Sequence, residues 1–394
     1  GQRCYRDSNT DWARYVSLAD KHNDPGVFTT FAAYEFSPTL PAAGKHHRNI
    51  IFNGKQLPGH AVSSLDVPNA IELWRELESQ CSEDCDFLTI PHNMNKAWGL
   101  FYSPFTWDGQ VYDEESWKLR QRREPLAEIY QVKGASECAL GVGAADEECG
   151  FSQVLPPCQP GQVSGCAFHT SFTRQGLKIG LQLQEELGFN PMAFGVIGST
   201  DTHNASPGDA EEWDFVGKVA SVNSPAVRRM REWEDRKPYE STLQFHTSGG
   251  LAAVWAEENT RDALFAAMQR REAYATSGTR ITLRFFAGWG FDESVLSEPD
   301  AIALASGGGV PMGGELRAKN GDSDSPAFLV WAGADLMSAP LQRIQMVKGW
   351  IDDAGNTHEQ VVDIQCADGL AIEPQTGRCP DNGASVDLAD CSVS

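Results

Sequence analysis

Five residues whose side chains commonly bind divalent metal ions lie at the ends of stretches that resemble β-strands. They are Glu35 in "FTTFAAYEF", His47 in "HHRNIIF", His92 in "FLTIPHN", and Asp201 and His203 in "GVIGSTDTH". Residues two apart on a strand point to the same side, so Asp201 and His203 can face one cavity. Imidazole and carboxylate ligands together suit zinc, manganese or iron. The sequence therefore predicts a centre that binds such cations.

Several of these residues also have a purely structural interpretation. Glu35 can be a buried carboxylate paired with Arg48, and His92 can hydrogen-bond a loop backbone. His46 and His47 are adjacent, and adjacent strand residues face opposite sides, so one of the two is expected to be structural. His47 is favoured as the ligand because it directly precedes Arg48 and shares a face with the polar residue two positions further on.

The elements that must position these residues alternate along most of the chain. Strand patterns cover 26–37, 46–54, 86–93, 126–134, 193–204 and 280–289, and helix patterns cover 66–81, 173–188 and 258–278. Such alternation, with polar residues after apolar strands, is typical of parallel (β/α) barrels. Residues 1–290 are therefore predicted to form a metal-binding α/β barrel portion, with a Cys-rich insertion near 138–166. Residues 291–394 are predicted to form an antiparallel β-rich unit.

The charge of the chain excludes some classes of partner. It has 32 Lys and Arg against 54 Asp and Glu, a net charge of −22. Nucleic-acid binding needs basic patches that neutralise phosphates, and none is evident. No apolar run approaches the ~20 residues of a membrane span.

The ten cysteines indicate the compartment. Most lie in short polar stretches such as "CSEDC" and "PPCQPGQVSGC", and no paired C-x-x-C motifs predict a zinc cluster. Disulfides that close loops fit this spacing better, which predicts a periplasmic or secreted protein.

Longer blocks carry a resemblance to a known family. "FTTFAAYEFS", "HHRNIIF", "LTIPHNMNKAWG", "EPLAEIYQVKGASE", "GVIGSTDTHNASPG", "YATSGTRI" and "QMVKGWIDDAGN" resemble the bacterial family called domain of unknown function 3604 (DUF3604), which is related to the polymerase-and-histidinol-phosphatase (PHP) superfamily. The resemblance implies a distorted seven-stranded barrel with two or three divalent metals. It implies that Glu35 bridges metals and that the other four candidates are ligands. Glu128 does not match a superfamily ligand and is expected behind the ligands or against the substrate, and His46 and Arg280 are further candidates for positions behind the ligands.

One departure from the superfamily pattern concerns the start of the chain. Superfamily members begin with a His-x-His strand and a further histidine on the second strand, and neither occurs in this sequence. The chain is therefore expected to correspond to the portion C-terminal to the first two barrel strands. A complementary N-terminal chain or segment is an expected partner, because missing strands leave sheet edges exposed.

The resemblance and the candidate ligands together predict metal-assisted hydrolysis of a small anionic substrate, a phosphoester in the first instance. Arg48 or Lys133 would neutralise charge on the phosphate oxygens, and Arg280 is a weaker candidate for the same role. The alternatives are hydrolysis of another ester or an amide bond, since one metal geometry serves several electrophiles, or a non-catalytic secreted binding or assembly module.

Overall fold

The computed structural model of the protein describes residues 8–81, 84–202, 208–211, 247–318 and 325–385, together with positions 387, 389, 390 and 392. All structural statements below concern these residues. Within them the chain is a mixed α/β structure with more strand than helix.

The first sheet carries most of the candidate site. Strands β1 (Ala33–Phe36), β2 (His47–Gly54) and β3 (Cys85–His92) are antiparallel neighbours in the order β1-β2-β3. Every second residue of β2 is buried, including Ile50 and Phe52, as the two-residue period of a strand requires. One face of β2 therefore lies in the core, and the other carries the half-buried residues His47, Asn49, Ile51 and Asn53.

Three helices contribute to the core that contains this face: α1 (Ser8–Lys21), α2 (Ala70–Gln80) and α3 (Glu114–Arg123). Asn69 begins α2 as an N-cap, since its side chain accepts a hydrogen bond of 3.1 Å from the backbone of Glu72. The helices bring large aromatic side chains to the core, namely Trp12, Trp74 and Trp117.

A second small sheet contains the remaining site strands. Strands β4 (Leu126–Gln131) and β6 (Gly195–Gly198) are parallel, and β5 (Gly134–Ala135) pairs antiparallel with β4. Helix α4 (Thr173–Leu187) precedes β6 and ends at Gly188, whose φ of 78° is the left-handed conformation usual at a helix end. Strand β4 lies beside β3, so the residues at the ends of the two strands come together.

The next part of the chain forms one antiparallel pair and a crossing helix. Strands β7 (Leu251–Val254) and β8 (Ala273–Thr276) flank helix α5 (Arg261–Gln269), and β8 lies beside β6.

The C-terminal part is antiparallel throughout its described strands. Strand β9 (Thr282–Gly288) pairs with β10 (Gly309–Pro311), which follows helix α6 (Ala301–Gly308), and on its other side with β11 (Ala327–Gly333).

The last described strands form a hairpin. Strands β12 (Arg343–Ile351) and β13 (Thr357–Cys366) are joined by a turn in which Asp352 accepts hydrogen bonds from the backbone of Ala354 and Asn356. The hairpin packs against helix α4.

The predicted barrel is wrong for the described residues. Their strands form separate sheets of two or three strands, and none of these sheets closes on itself. The error has a physical cause: a strand followed by a helix can return parallel or antiparallel, and the sequence pattern is the same in both cases. Strands β2 and β3 are separated by helix α2 and still pair antiparallel, whereas β4 and β6 form the one parallel pair of strands described.

Four disulfides confirm the prediction that cysteines close loops. Each joins residues close in the sequence: Cys81–Cys85, Cys138–Cys149, Cys158–Cys166 and Cys366–Cys379. They are consistent with a secreted or extracellular protein. No described helix combines the length and the apolar character needed to cross a membrane.

Candidate metal centre

Strands β1, β2 and β3 bring three potential metal ligands onto one face of their sheet. His47 lies directly opposite His92, and Glu35 lies opposite Asn49, two residues along the same strand from His47. The Glu35 Oε1 atom is 2.5 Å from Nδ1 of His47 and 3.4 Å from Nε2 of His92. Cross-strand register, which a one-residue slip would destroy, therefore builds this group.

Two further carboxylates face the other nitrogen of His92. Its Nδ1 atom is 3.9 Å from Oε1 of Glu128 on β4 and 4.0 Å from Oδ2 of Asp201, which follows β6. Asp201 and Asn93 both adopt left-handed backbone conformations, with φ of 52° and 59°, and the Asn93 side chain donates to Asp201 at 3.3 Å. Asp and Asn tolerate this conformation better than most residues, and here it directs the chain around the site.

The carboxylates are held in different charge states. Burial opposes ionisation of Glu35, but hydrogen bonds from His47 and His92 outweigh it and hold its pKa far below the usual range. Burial raises the pKa of Glu128 to about 7, despite the opposing charge of His92. Burial also raises the pKa of Asp201, but Lys133 and His92 bring it below normal.

The pKa values of the two histidines are shifted in opposite directions. Burial lowers the pKa of His92, yet the hydrogen bond with Glu35 and the charges of Glu128 and Asp201 raise it overall. For His47, burial prevails over the hydrogen bond with Glu35, and its pKa is lowered.

These residues fit a divalent cation. The ligand atoms of Glu35, His47 and His92 lie within 4.8 Å of one another. Small side-chain adjustments would let all three atoms bind one ion at bond lengths of roughly 2.0–2.2 Å. Nε2 of His92 is buried and lies 3.4 Å from Oε1 of Glu35 without a well-aligned hydrogen bond among the described residues. Buried polar atoms without partners are rare, and a cation bound beside Glu35 would satisfy this nitrogen.

Of the predicted cations, Lys133 lies at the site. Its Nζ atom forms an ion pair with Oδ2 of Asp201, which also accepts a 2.6 Å hydrogen bond from Gln131. Arg280 instead forms an ion pair with Glu211 and is largely exposed.

Arg48 and His46 lie on the opposite face of the sheet from the ligands. Arg48 is fully buried, with Nε 2.7 Å from Oε2 of Glu124 and its guanidinium 4.8 Å from the Phe101 ring centroid. His46 packs against the same ring at 4.3 Å, and burial holds its pKa far below the usual value. The predicted role of Arg48 at a substrate therefore has no support from its position, because Arg48 follows His47 and neighbouring strand residues face opposite sides. His203 lies outside the described residues.

The sequence analysis missed two lysines beside the site. The Lys45 backbone N–H donates to the Lys96 carbonyl at 2.8 Å, and Lys96 ends the short helical turn Met94–Lys96 that follows His92. Burial, with the charges of Lys133 and Lys45, lowers the pKa of Lys96 to about 8. The available signal was the position of Lys96 in "PHNMNK", four residues after a candidate ligand.

Comparison with known proteins gives the family and no further relative. The profile of a family described as protein of unknown function (DUF3604) matches residues 1–394, so the chain belongs to this family. No curated protein and no solved structure matches the chain.

Proposed function

From membership of this family and the geometry of the site, we propose that the protein is a metal-dependent hydrolase that acts on phosphoesters outside the cytoplasm. The observation that carries the proposal is the convergence of Glu35, His47 and His92 on one open sheet face, with Lys133 beside them. The relationship to the PHP superfamily that the resemblance to DUF3604 implies would support the same reaction class.

Each side chain has a defined task in this proposal. Glu35, His47 and His92 would hold a zinc, manganese or iron ion, and Asp201 and Glu128 face the rear nitrogen of His92 and orient its ring. The bound ion supplies Lewis-acid polarisation of the ester and acidifies a water molecule. His203 and a complementary N-terminal segment, where present, would add ligands for further ions.

Lys133 would hold the anionic substrate. Its ammonium group carries a positive charge that a protein of net charge −22 must provide locally to admit a phosphate. The ion pair with Asp201 fixes the ammonium group at the edge of the ligand cluster, where it can stabilise charge on the phosphate oxygens.

The test is cation binding followed by turnover. Chelator-treated protein would be titrated with Zn²⁺ and Mn²⁺ by calorimetry and then assayed with p-nitrophenyl phosphate and bis(p-nitrophenyl) phosphate. We expect saturable cation binding that Glu35→Gln and His92→Ala weaken, together with hydrolysis that the same variants abolish.

The matched control is His358→Ala, which removes a histidine paired with Asp352 on the hairpin. It should leave both binding and turnover unchanged. Binding that none of the site variants weakens would overturn the proposed metal site. If the protein binds cations but hydrolyses only p-nitrophenyl acetate, its substrates would be carboxylic esters and not phosphoesters.

A further inference from the structure

Three lysines are tied together by hydrogen bonds around the turn that follows His92. The backbone N–H of Lys45 donates to the carbonyl of Lys96 at 2.8 Å, and the side chain of Asn95 donates to the carbonyl of Lys133 at 3.2 Å. Asn95 is itself buried, and its backbone donates to the Ser136 hydroxyl at 3.2 Å. The main chain at the three lysines is therefore held in fixed positions around this turn, and the charges of Lys133 and Lys45 act on the Lys96 ammonium group.

The three ammonium groups differ in what neutralises them. Lys133 pairs with Asp201. In the described part of the chain, neither Lys45 nor Lys96 has a carboxylate within ion-pair distance. Lys96 is half-buried, and the charges of Lys133 and Lys45 act against its ammonium group more strongly than the charge of Asp201 favours it. Partly burying an unpaired ammonium group costs free energy, and the cost is largest where like charges are close.

A negatively charged ligand would offset the repulsion among these ammonium groups, because Lys45 and Lys96 both carry positive charge. Two unpaired ammonium groups match two negative charges, so a doubly charged tetrahedral oxyanion suits this place better than a singly charged one. The lysines lie next to the Glu35, His47 and His92 cluster, so the same ligand can extend to the metal centre.

We propose that Lys45 and Lys96, together with Lys133, form an oxyanion-binding subsite that selects ligands carrying a dianionic group such as phosphate. This inference rests on the proposed function for its role in catalysis, where the subsite would favour phosphate monoesters over diesters. Anion binding at the subsite requires only the three lysines and does not depend on a metal ion.

The test measures anion binding without metal, so its outcome is separate from that of the proposed hydrolase. The full chain, treated with chelator, would be titrated with inorganic phosphate and with dimethyl phosphate by calorimetry at low ionic strength. We expect phosphate to bind more tightly than dimethyl phosphate, with an affinity that falls as salt is added.

Variants identify the groups responsible. Lys96→Met and Lys45→Met should each weaken phosphate binding by about tenfold, because each removes one charged hydrogen-bond donor. Lys96→Arg keeps the charge and should stay within about threefold of the wild type. Lys118→Met is the matched control, since Lys118 lies on helix α3 and pairs with Glu114.

The proposal would be overturned if the wild type does not bind phosphate, or if both methionine variants bind it as the wild type does. Equal affinity for phosphate and dimethyl phosphate would also overturn it. If Lys96→Met does not fold, as judged by circular dichroism, then Lys45→Met and Lys96→Arg decide the question. If the protein binds phosphate but no divalent cation, the oxyanion subsite is supported and the metal-dependent hydrolase is contradicted.

Discussion

Two groups of charged residues lie on opposite faces of strand β2, one around Arg48 and the other around His47, and they differ in how deeply they are buried. Arg48 faces the core, where it pairs with Glu124, which also pairs with Arg120 at 2.8 Å. His47 faces the other way, where it meets Glu35, whose side chain is 30% exposed. In the first group each charge is enclosed by its partner and by aromatic rings. In the second group His92 is buried, but Glu35 and, to a smaller extent, His47 are exposed.

The difference shows how one strand can serve stability and chemistry together. A fully enclosed ion pair is bound to its own partners and has little capacity for a ligand, and removing one member leaves an uncompensated buried charge. Glu35, His47 and His92 pair with one another at a partly exposed place, so they can exchange these contacts for a bound ion. The comparison predicts that mutations on the two faces of β2 will have separable effects.

The largest effect is expected in the buried group. Glu124→Ala leaves both Arg48 and Arg120 buried without a carboxylate, so the free energy of unfolding should fall by about 3–5 kcal/mol. Urea denaturation with chelator present would measure the loss. A fall of less than about 1 kcal/mol would show that the pair is solvated and would remove the contrast between the two faces.

Substitutions of the adjacent residues His47 and Arg48 compare the two faces of β2 most directly. His47→Leu should weaken cation binding by at least about 100-fold, with little change in urea stability, since His47 is not in the core. Arg48→Met should lower the free energy of unfolding by about 2 kcal/mol, and it should bind cations as the wild type does. Calorimetry and urea denaturation on both proteins would check this. Weakened cation binding in Arg48→Met would mean that the two groups are coupled.

The buried carboxylate behind His92 should make stability depend on pH. The pKa of Glu128 is raised from 4.5 to about 7, so the folded state holds this proton more tightly than the unfolded chain does. Its destabilising effect is absent below about pH 4.5, grows as the pH rises toward 7, and is complete above 7.

Glu128→Gln cannot ionise, so it should raise the free energy of unfolding above pH 7 by about 2–3 kcal/mol relative to the wild type, and leave it unchanged near pH 4. Urea denaturation of chelator-treated protein across this range would measure both values. An equal difference at both pH values would contradict the assignment of the effect to ionisation.

The smallest effect is expected for the histidine next to His47. Both ring nitrogens of His46 are buried without a hydrogen-bond partner in the described part of the chain. His46→Phe removes these unsatisfied atoms and keeps an aromatic ring against Phe101, so it should stabilise the protein by about 1 kcal/mol. Cation binding should be unchanged. Loss of cation binding on this substitution would place His46 among the ligands.

More of the candidate site than of the fold could be predicted from the sequence. The residue types at Glu35, His47 and His92 and the two-residue period of a strand were enough to select three candidate ligands that the structure brings together. The same period places His47 and Arg48 on opposite faces, yet both were predicted to act at the site; the structure places Arg48 in the core. The distribution of cysteines in loops was likewise sufficient to predict disulfides.

Local sequence patterns could not predict whether the strands close into a barrel. Whether β3 returns antiparallel to β2 depends on which edges meet after the whole chain has collapsed, and no local pattern encodes that choice. Lys45 and Lys96 illustrate the same limit, because they are separated by 50 residues of sequence and are joined by a backbone hydrogen bond.

The sequence by itself therefore determined the side-chain chemistry available and which neighbouring residues can share a face, because both follow from residue type and local backbone geometry. Only the tertiary structure decided the open sheets, the opposition of His47 and His92 across two strands, and the gathering of lysines beside them. These features depend on strand register and contacts between distant segments, which are set by packing over the whole molecule.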